Sequence, residues 1–408
     1  MHRKTDILIV GAGPAGLSCA IKCNNLGKDY LLIEKSNRVG GRVGSIKEYG
    51  YIFDLGFQVY NTAYNLTNSL LNLDQLELKT FKPGASIYNG KSFDIISDPQ
   101  RDFSKIFTTL FSNITTFSDK LKILTLKQLL INYSIDNDQT TDLTTNKFLH
   151  EYGFSKKIIE SFFRPFCSGI FLERQLETSS KFFKYIFSKF NIGLAALPSK
   201  GMQMIPENMF KKIEYSSVLF GTRIKKIHSE KKIELNNGKT ITANKIILTG
   251  DSCSLVSTKT LKFNSIKTLY FSSEIRPKNG EYIHLFPNSG IINNIAILTS
   301  ISDQYSESSD HLISVSIFSK NKSEADLIRY VNEKLTEFYG GALSDYRFLK
   351  FMDIKRATIY QEPGYFNENN NMISDKIIFA GGHMTNASIE GAVLSGMKAY
   401  DKLEMGKY

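Results

Sequence analysis

The stretch DILIVGAGPAGLSCAIKCNNLGKDYLLIE, residues 6–34, decides the fold. It opens with a short apolar run, which is typical of a parallel strand that is buried on both faces. Gly11, Gly13 and Gly16 follow in the pattern G-x-G-x-x-G. In that pattern the glycines allow a sharp turn, a close approach of phosphate to the backbone and tight packing of the next helix. The stretch therefore predicts a strand, a glycine turn, a helix and a second strand.

The same stretch has the features of a dinucleotide site. A helix beginning at Pro14 and Ala15 would offer free amides and the positive end of its dipole to an anion. Glu34 stands where the second strand ends, and a carboxylate there can accept hydrogen bonds from ribose hydroxyls. Glycine triplets alone occur by chance, but here strand, turn, helix, strand and acid all have the expected spacing. The unit predicts dinucleotide binding, and the alternative is a purely structural α/β turn.

The bulk composition is that of a globular protein. The chain has 408 residues, of which 42% are hydrophobic and 22% are charged, so it can bury a large core and is expected to form two domains. No stretch of about eighteen apolar residues occurs. The first residues enter a strand at once, which predicts a cytoplasmic protein without a signal peptide. The four cysteines show no metal-binding spacing, so we expect neither a metal site nor disulfides.

The net charge of +11 raises the question of a nucleic-acid partner. Lysines are scattered through the sequence and no recognised nucleic-acid-binding motif appears, so we expect no such partner. The positive charge can instead favour an anionic cofactor or contact with an anionic membrane surface. The alternative is an ordinary basic surface.

A second motif follows the acid, EKSNRVGGRVGS, residues 34–45. With its form E-x(3)-R-x-G-G-R it resembles the flavin-containing amine oxidase superfamily, which includes monoamine oxidases, protoporphyrinogen oxidases and phytoene desaturases. The resemblance implies that this loop lies along the pyrophosphate and the flavin, so the expected cofactor is FAD, bound non-covalently, rather than NAD. Beside a phosphate, Arg38 and Arg42 are expected to pair with the anion. The alternative for both is exposure to solvent.

The C-terminal stretch KIIFAGGHMTNASIEGAVLSG, residues 376–396, repeats the order strand, glycines, helix. In the superfamily this unit returns to the same cofactor, so the resemblance implies that the helix beginning near Ser388 points its amides at the flavin end. A positive helix end there would stabilise the anionic reduced ring. The family usually has an acid where this chain has Gly382. His383 or a water would have to replace that acid, and the alternative for His383 is a histidine paired within the loop.

The resemblance assigns cofactor contacts along the whole chain. They come from the glycine turn, the E-x(3)-R-x-G-G-R loop, the segment FDLGFQVY (residues 53–60), the extended region at residues 214–251 and the C-terminal unit. The residues expected at FAD are Gly11, Gly13, Pro14, Ala15, Gly16, Glu34, Lys35, Arg38, Gly40, Gly41, Arg42, Gly56, Phe57, Gln58, Ile224, Gly250, Gly381, Gly382, Ser388 and Ile389.

The remaining patterns predict the other elements. Residues 61–200 have helical periodicity. KKIELNNGKTITANKIILTG, residues 231–250, predicts a hairpin that turns at Asn237 and Gly238. Residues 262–350 contain three strand patterns and then a helix at about 323–339.

The order of these pieces predicts an α/β fold with two interleaved domains. An FAD-binding Rossmann-like domain, with a parallel sheet plus a β-meander, would consist of residues 1–60, 200–255 and 355–408. An α+β substrate-binding domain would consist of residues 61–199 and 256–354. This interleaving is characteristic of the superfamily that the chain resembles.

The expected reaction is transfer of hydride from a C–H bond of the substrate to flavin N5, for which the protein mainly positions and desolvates. Aromatic clusters alternate with lysines between residues 100 and 190. They indicate a small hydrophobic substrate of the isoprenoid or polyunsaturated type, with peripheral membrane contact, and the alternative is ordinary helical core. Lys267 falls where some members of the superfamily keep a lysine near flavin N5, so it is the predicted catalytic residue. An exposed strand lysine is the alternative.

Two other functions stay open. The first is an amine or reduced-nicotinamide oxidase. Against it, monoamine oxidases have an aromatic residue at the position of Ser388, and their flavin-attaching cysteine has no counterpart around YQEPGYF, residues 360–366. The second is a flavin-free lipid-binding protein, because Rab GDP-dissociation inhibitors share this architecture. The glycine pattern, Glu34 and Arg42 count against the second. The sequence makes no prediction of the oligomeric state.

Overall fold

The computed structural model describes residues 2–97, 116–228, 231–257, 260–287, 290–368, 372–374 and 376–405. The described strands are β1 (His2–Val10), β2 (Tyr30–Ile33), β3 (Ser45–Glu48), β4 (Tyr51–Asp54), β5 (Tyr60–Asn61), β6 (Lys79–Thr80), β7 (Gly84–Tyr88), β8 (Phe93–Ser97), β9 (Ala195–Leu197), β10 (Val218–Leu219), β11 (Ile224–Ile227), β12 (Lys232–Leu235), β13 (Thr240–Thr249), β14 (Phe263–Ser273), β15 (Ile283–Leu285), β16 (Ile292–Ile297), β17 (His311–Ile317), β18 (Arg347–Ile359), β19 (Met372–Ser374) and β20 (Ile377–Ala380). The described α-helices are α1 (Pro14–Asn25), α2 (Asn65–Ser69), α3 (Leu73–Leu76), α4 (Phe117–Leu129), α5 (Thr145–Glu151), α6 (Lys156–Ile158), α7 (Arg164–Phe171), α8 (Ser180–Ile192), α9 (Met204–Phe210), α10 (Leu298–Ile301), α11 (Glu324–Tyr339) and α12 (Ile389–Met405).

The first large sheet contains the parallel core that the glycine pattern predicts. Its order is β10-β2-β1-β13-β12-β11, and β20 pairs with β13 and β19. β1 lies parallel to β2 and β13, and β13 lies parallel to β20. The central strands are apolar because both faces are covered, so that Leu8, Ile247 and Ile378 are fully buried. The carboxyl ends of β2, β1, β13 and β20 therefore lie side by side at one edge of the sheet, and the predicted α/β fold is confirmed.

The β-meander belongs to the same sheet. β11, β12 and β13 pair antiparallel in succession, and the predicted turn lies between β12 and β13. Gly238 in that turn has a φ of +75°, the left-handed conformation that a tight hairpin turn favours in glycine. The second half of β13 extends beyond the hairpin and pairs with β20. The C-terminal strand–glycine–helix unit is thereby placed one strand away from β1.

The second large sheet has the order β18-β14-β17-β16-β15-β7-β8. On one of its faces, Leu327 and Leu335 of α11 pack against Leu269 and Phe271 of β14. The strands and the helix expected between residues 262 and 350 are therefore present. The helical periodicity of residues 61–200 is a wrong guide for residues 79–97, which form β6, β7 and β8. β7 pairs with the distant strand β15, and such long-range pairing overrides a local pattern.

Helices α4 to α8 form a layer with an aromatic core. Phe154, Phe163, Phe171 and Phe183 are buried together there, so part of the aromatic stretch that we read as a substrate route is ordinary core. Residues 98–115, which begin that stretch, lie outside the described residues. Within the described ranges, no helix is both long and apolar enough to cross a membrane.

The predicted division into domains stays a prediction. The two large sheets correspond to its two parts, since β1, β13 and β20 lie in one sheet and β14 and β17 in the other. β18 belongs to the second sheet and runs from Arg347 to Ile359, across the boundary that was placed at residue 355. A single long strand therefore connects the substrate part to the C-terminal unit.

Candidate cofactor site

The glycine turn after β1 depends on close approaches that only glycine allows. Gly11 has a φ of +103°, and a Cβ on it would lie 2.4 Å from Thr249 Oγ1. A Cβ on Gly16 would lie 1.9 Å from the carbonyl oxygen of Gly11. The turn is thus pressed against the end of β13 on one side and against the start of α1 on the other, as the pattern predicts.

The N-terminus of α1 is open to an anion. Gly13 is the N-cap residue, it provides no side-chain capping hydrogen bond, and no acidic residue lies in the first turn. Pro14 begins the helix, where it gives up an amide that would have no partner. The amides of Ala15 and Gly16 follow, at the positive end of the helix dipole. Among the described residues of this turn, no carboxylate competes with a phosphate.

Glu34 closes the glycine turn from the side of β2. Its side chain is buried, and Oε2 accepts a hydrogen bond from the amide of Ala12 at 2.8 Å. Oε1 accepts hydrogen bonds from the amide and hydroxyl of Ser36 at 2.9 and 2.8 Å. A carboxylate offers about four acceptor sites, so Glu34 keeps capacity for ribose hydroxyls while it holds the loop.

The second glycine loop lies directly against the first. The amide of Gly40 donates to the carbonyl of Ala12 at 2.7 Å, and a Cβ on Gly41 would lie 3.6 Å from Gly13 Cα. Gly13, Gly40 and Gly41 therefore present backbone without side chains to one space at the carboxyl edge of the sheet. This is the arrangement that the E-x(3)-R-x-G-G-R motif predicts.

The two arginines of that motif have different environments. Arg38 donates to the carbonyls of Val39 and Gly41 at 3.1 and 2.7 Å and to Gln203 Oε1 at 3.1 Å. Burial lowers the pKa of Arg38, and its guanidinium holds the shape of the loop. The guanidinium of Arg42 lies over the ring of Phe263, with Cζ 5.6 Å from the ring centre. Among the described residues no protein acceptor is assigned to Arg42, so it is the arginine that is available to an anion.

Charged residues lie near Arg42, and two of them, Arg356 and Asp251, were not predicted as site residues. Arg356 of β18 stacks on the same ring of Phe263 at 4.0 Å and pairs with Asp251 at 3.1 Å. Lys35, which was predicted, lies 3.8 Å from the other carboxylate oxygen of Asp251. Asp251 follows Gly250 at the end of β13, so its position is readable from the sequence. Arg356 reaches this position only because β18 pairs with β14. The residues next to it in the sequence do not indicate that it belongs to the site.

The segment with Gly56, Phe57 and Gln58 lies between the two large sheets. Gly56 has a φ of +80°, and a Cβ on it would lie 2.5 Å from Ile354 Cδ1 of β18. Gln58 Nε2 donates to the carbonyl of Arg42 at 2.8 Å, while Gln58 Oε1 is buried without a hydrogen-bond partner. Phe57 packs edge-on against another phenylalanine of the core. The segment thus supports the arginine loop and presents an unpaired acceptor.

The C-terminal helix α12 begins beside α1. Ser388 caps it, because its Oγ accepts the amide of Gly391 at 2.9 Å, and Ile389 is its first residue. A Cβ on Gly396 would lie 2.0 Å from the carbonyl oxygen of Ala15. The backbones of the two helices therefore touch, and both begin at the carboxyl edge of the parallel strands. The structure brings the two predicted glycine units together as the resemblance implies.

The turn after β20 carries Gly381 and Gly382. Gly381 has a φ of +140° and faces the ring of His383. His383 is buried, with Nε2 3.3 Å from Cys253 Sγ, and its Nδ1 has no hydrogen-bond partner. A Cβ on Gly382 would meet Ala387 Cα at 3.5 Å, an ordinary contact, so the backbone here has room for the acid that the family usually has.

Lys267 is not brought to this site. Along β14, Thr268 lies near Gly56, with Oγ1 3.6 Å from the Cβ position of that glycine, whereas Leu269 packs under α11. Side chains alternate along a strand, so Lys267 lies on the α11 face with Leu269. Its catalytic role stays a prediction without geometric support, and Thr268, whose hydroxyl is buried and unpaired, stands on the face that Lys267 was expected to occupy.

Ile224 is at the start of β11. Its side chain is buried in an apolar cluster with Leu31 and Ile33, and its contact with a cofactor stays a prediction. Two tyrosines were missed by the sequence reading. Tyr64 and Tyr185 come from separate elements and lie within hydrogen-bonding reach of Ser388, and burial raises the pKa of both phenols.

Comparison with known proteins agrees with this geometry. The family described as flavin containing amine oxidoreductase matches residues 14–401. The chain is 35% identical over 75 residues to 4,4'-diaponeurosporene oxygenase of Staphylococcus haemolyticus, which is 18% of this chain and 15% of that protein. It is 34% identical over 102 residues to lysine-specific histone demethylase 1B of Mus musculus, which is 25% of this chain and 12% of that protein. These matches span only a small part of the curated relatives.

Solved structures show the same fold over the whole chain. Wild-type putrescine oxidase bound to putrescine has a TM-score of 0.74 at 14% identity, covering 99% of this chain and 100% of that chain. A putative protoporphyrinogen oxidase from Exiguobacterium sp. 255-15 has a TM-score of 0.74 at 15% identity, covering 99% of both chains. At such identities the likeness concerns the fold alone.

Proposed function

Because the chain belongs to the family of flavin-containing amine oxidoreductases, we propose that it is an FAD-dependent oxidoreductase that takes hydride from a C–H bond of a small hydrophobic substrate. The observation that carries the FAD assignment is that two glycine-containing helices, which both begin at the carboxyl edge of the parallel strands, pack directly against each other. Gly396, in the third turn of α12, lies against Ala15 at the start of α1. This pair of positive helix ends suits one long polyanionic ligand.

The residues that would hold FAD non-covalently fit its chemistry. The amides at the start of α1 and the guanidinium of Arg42 suit the pyrophosphate. Glu34 suits the ribose hydroxyls at the other end. Gln58 Oε1 is a buried acceptor without a protein partner, as expected where a ligand supplies the donor.

FAD supplies the two-electron acceptor when it is bound. The described residues would position the cofactor and keep water away from it. The guanidinium groups of Arg42 and Arg356 both lie over the ring of Phe263, which links the arginine loop to β14 and β18. Thr268 and Tyr270 of β14 and Phe53 of β4 are fully buried, so they would help to keep water out of this part of the site.

A continuous apolar cluster supports a hydrophobic substrate. The aromatic core of α4 to α8 includes Leu126 of α4 and Phe163, and Ala387, which precedes the cap of α12, packs against the same cluster. Apolar side chains thus extend from a surface helix to the residue next to Ser388. The partly buried members of this cluster, which include Phe166, Phe366 and Ala387, would form the apolar wall for an isoprenoid or polyunsaturated chain, because burial of apolar area is the main source of affinity for such a ligand.

The test is anaerobic reduction of the purified, FAD-loaded protein, followed by its visible spectrum. Retention of the flavin bands on desalting, and bleaching by an isoprenoid polyene but not by diamines or reduced nicotinamide, is the expected result. If only a diamine or only reduced nicotinamide bleaches the flavin, the substrate belongs to that class and the proposed hydrophobic substrate is wrong. A colourless protein that cannot be reconstituted with FAD would favour flavin-free lipid binding.

One observation favours amine oxidation as the second candidate. Monoamine oxidases place an aromatic residue at the position of Ser388, and this chain brings Tyr64 and Tyr185 to that serine from other elements. Aromatic rings can orient an amine. If this candidate is right, Tyr64→Phe should leave diamine reduction of the flavin largely intact, whereas Tyr64→Ala should slow it.

Peripheral membrane contact is part of the proposal. On α4, Phe117, Leu121 and Leu124 have spacings of four and three residues and side chains that are 73%, 51% and 39% exposed, so they form one apolar stripe on the surface. Lys120 lies beside this stripe on the same helix, whereas Lys122 donates to the carbonyl of Gly153. An apolar stripe with a lysine beside it suits a helix that lies in the interface of an anionic bilayer.

Liposome sedimentation tests this contact. The double variant Phe117→Ser, Leu121→Ser should lose binding to vesicles that contain phosphatidylglycerol. A matched control is Leu343→Ser, since Leu343 is 52% exposed far along the chain next to α11. Equal loss in both variants, or no binding by the wild type, would remove membrane contact from the proposal.

A further inference from the structure

His383 is buried at the carboxyl edge of the parallel sheet. It is only 5% exposed and lies in the short turn Gly382–Met384 that follows β20. Its backbone carbonyl accepts a hydrogen bond from the hydroxyl of Tyr365 at 2.8 Å. The imidazole is therefore held in place by the backbone as well as by its ring contacts.

The two ring nitrogens of His383 have different partners. Nε2 lies 3.3 Å from Cys253 Sγ, and the thiol of Cys253 donates to the carbonyl of Leu248 at 3.2 Å. With the thiol hydrogen assigned to the carbonyl of Leu248, the hydrogen between ring and sulfur belongs to Nε2. Nδ1 is then the unprotonated nitrogen, with a lone pair and no hydrogen of its own.

The imidazole is neutral. Burial and the charge of Arg42 lower the pKa of His383 to about 4, and burial raises the pKa of the Cys253 thiol. Nδ1 is buried and has no hydrogen-bond partner in the protein. A buried acceptor without a partner is unfavourable, and in native proteins it commonly marks a place where another molecule donates.

The surroundings of Nδ1 are those of the candidate cofactor site. Gly381 lies over the ring, and a Cβ there would be 2.7 Å from Nδ1 and 3.3 Å from the amide of Gly250. Gly250 and Gly381 stand at the carboxyl ends of β13 and β20. The effects of Arg42 and Asp251 on the pKa of His383 place both charged groups near the ring as well.

We propose that Nδ1 of His383 accepts a hydrogen bond from a hydroxyl group of FAD, and that Cys253 is the positioning residue which holds the required tautomer. This inference rests on FAD being the cofactor. It commits to a hydroxyl because Nδ1 is an acceptor and the phosphate oxygens of FAD cannot donate to it. A neutral imidazole thus replaces the acid that is absent at Gly382.

The first experiment measures the dissociation constant of FAD from the apoprotein by quenching of flavin fluorescence. His383→Phe keeps the ring and removes the acceptor, and it should weaken FAD binding by about 10- to 100-fold. His228→Phe is the matched control, because His228 is an exposed histidine of the β-meander, and it should not change the constant. An unchanged constant in His383→Phe would overturn the proposal.

The second experiment restores the acceptor from the neighbouring position. Gly382→Asp in the His383→Phe background should recover most of the lost affinity, since a Cβ at Gly382 meets only ordinary contacts, the nearest being Ala387 Cα at 3.5 Å. Gly382→Ser would be a weaker acceptor and should recover less. If affinity returns equally with Gly382→Ala, packing rather than hydrogen bonding explains the loss, and the proposal is wrong.

A third measurement distinguishes the proposed hydrogen bond from an effect on folding and from a failure of the proposed function. In nitrogen-15 spectra of histidine-labelled wild type, the Nδ1 signal of His383, assigned with His383→Phe, should move on addition of FAD in the direction of hydrogen-bond acceptance. A merely structural role would lower the unfolding midpoint of the apoprotein and leave this signal unmoved. Failure of the wild type to bind any FAD would instead defeat the proposed function.

Discussion

The two strand–glycine–helix units of this chain use the same order of elements but different chemistry at their glycine turns. The N-terminal turn is closed by a carboxylate, since Glu34 accepts the amide of Ala12, and its helix has no cap or acid at the N-terminus. The C-terminal turn is closed by the uncharged pair of His383 and Cys253. One unit leaves a positive helix end to a phosphate, and the other offers neutral hydrogen-bonding groups.

The C-terminal helix also differs in how it uses its acid. Glu390 lies in the first turn of α12, but its carboxylate accepts the amides of Leu66 and Thr67 at 2.9 and 2.8 Å and so caps α2. The acid is thereby committed to the protein rather than to a ligand. The comparison teaches that the same backbone motif presents different chemistry at its glycine turn once its polar side chains are distributed differently.

The largest expected effect comes from separating the two units. Gly396→Leu would place a Cβ 2.0 Å from the carbonyl of Ala15 and 2.2 Å from Ser18 Oγ, so the helices must move apart. We expect a loss of more than about 3 kcal/mol of unfolding free energy, measured by urea titration, together with loss of FAD binding. Gly27→Ala is the control. It meets no atom within 4 Å and should cost about 1 kcal/mol for its left-handed backbone.

The two acids should differ in their effect on FAD affinity. Glu34→Gln should weaken FAD binding by about 10-fold or more and should also cost about 1–3 kcal/mol of unfolding free energy, because its new amide group faces the donors of Ala12 and Ser36. Glu390→Gln should cost about 1–3 kcal/mol of unfolding free energy through the amides of α2, with little change in FAD affinity. Calorimetric FAD titration and urea unfolding of both variants decide this. Equal effects on affinity would mean that both acids serve the cofactor.

The pH dependence of stability should report the neutral imidazole of the C-terminal unit. The pKa of His383 is lowered to about 4, below its ordinary value, so between pH 6.5 and 4 the unfolded chain binds the extra proton. The contribution of neutral His383 is complete above pH 6.5 and is lost as pH falls through 4. From pH 7 to 5 the loss is about 2 kcal/mol.

Urea midpoints at pH 7 and pH 5 check this prediction in the apoprotein. The midpoint of His383→Phe should fall less on acidification than that of the wild type. Asp54 has the opposite sign, since burial raises its pKa to about 6 and its contribution is present at low pH and lost as pH rises through 6. Because Asp54 is common to both proteins, it cancels in the difference. Parallel pH profiles would show that His383 is not buried neutral.

The smallest effect concerns the surface between the two helices. Lys22 of α1 pairs with Asp401 of α12 at 2.5 Å, with side chains that are 26% and 49% exposed. A double-mutant cycle of Lys22→Ala and Asp401→Ala should give a coupling of less than about 1 kcal/mol that shrinks with added salt. A larger coupling would mean that the units are held by charge as well as by the glycine contact.

Local sequence was sufficient for the α/β class, the glycine turns, the hairpin at Asn237 and the family. These features depend on residues that are near in the chain, because Gly11 and Gly16 act on the turn and the helix that follow them directly. Lys35, Arg38 and Arg42 lie in one loop for the same reason, and their contact with FAD stays a prediction. The different roles of Arg38 and Arg42 could not be predicted from the sequence, because Arg38 meets its carbonyl acceptors only when the loop is folded.

Long-range pairing determined the rest. Residues 79–97 form strands because β7 meets β15. Arg356 of β18, in the second sheet, pairs with Asp251, which follows β13 of the first sheet. The face of Lys267 depends on which side of β14 is covered by α11, and the unpaired Nδ1 of His383 depends on a cysteine from another strand end. Such contacts join residues that are far apart in the chain, and their energies exist only after the sheets have assembled.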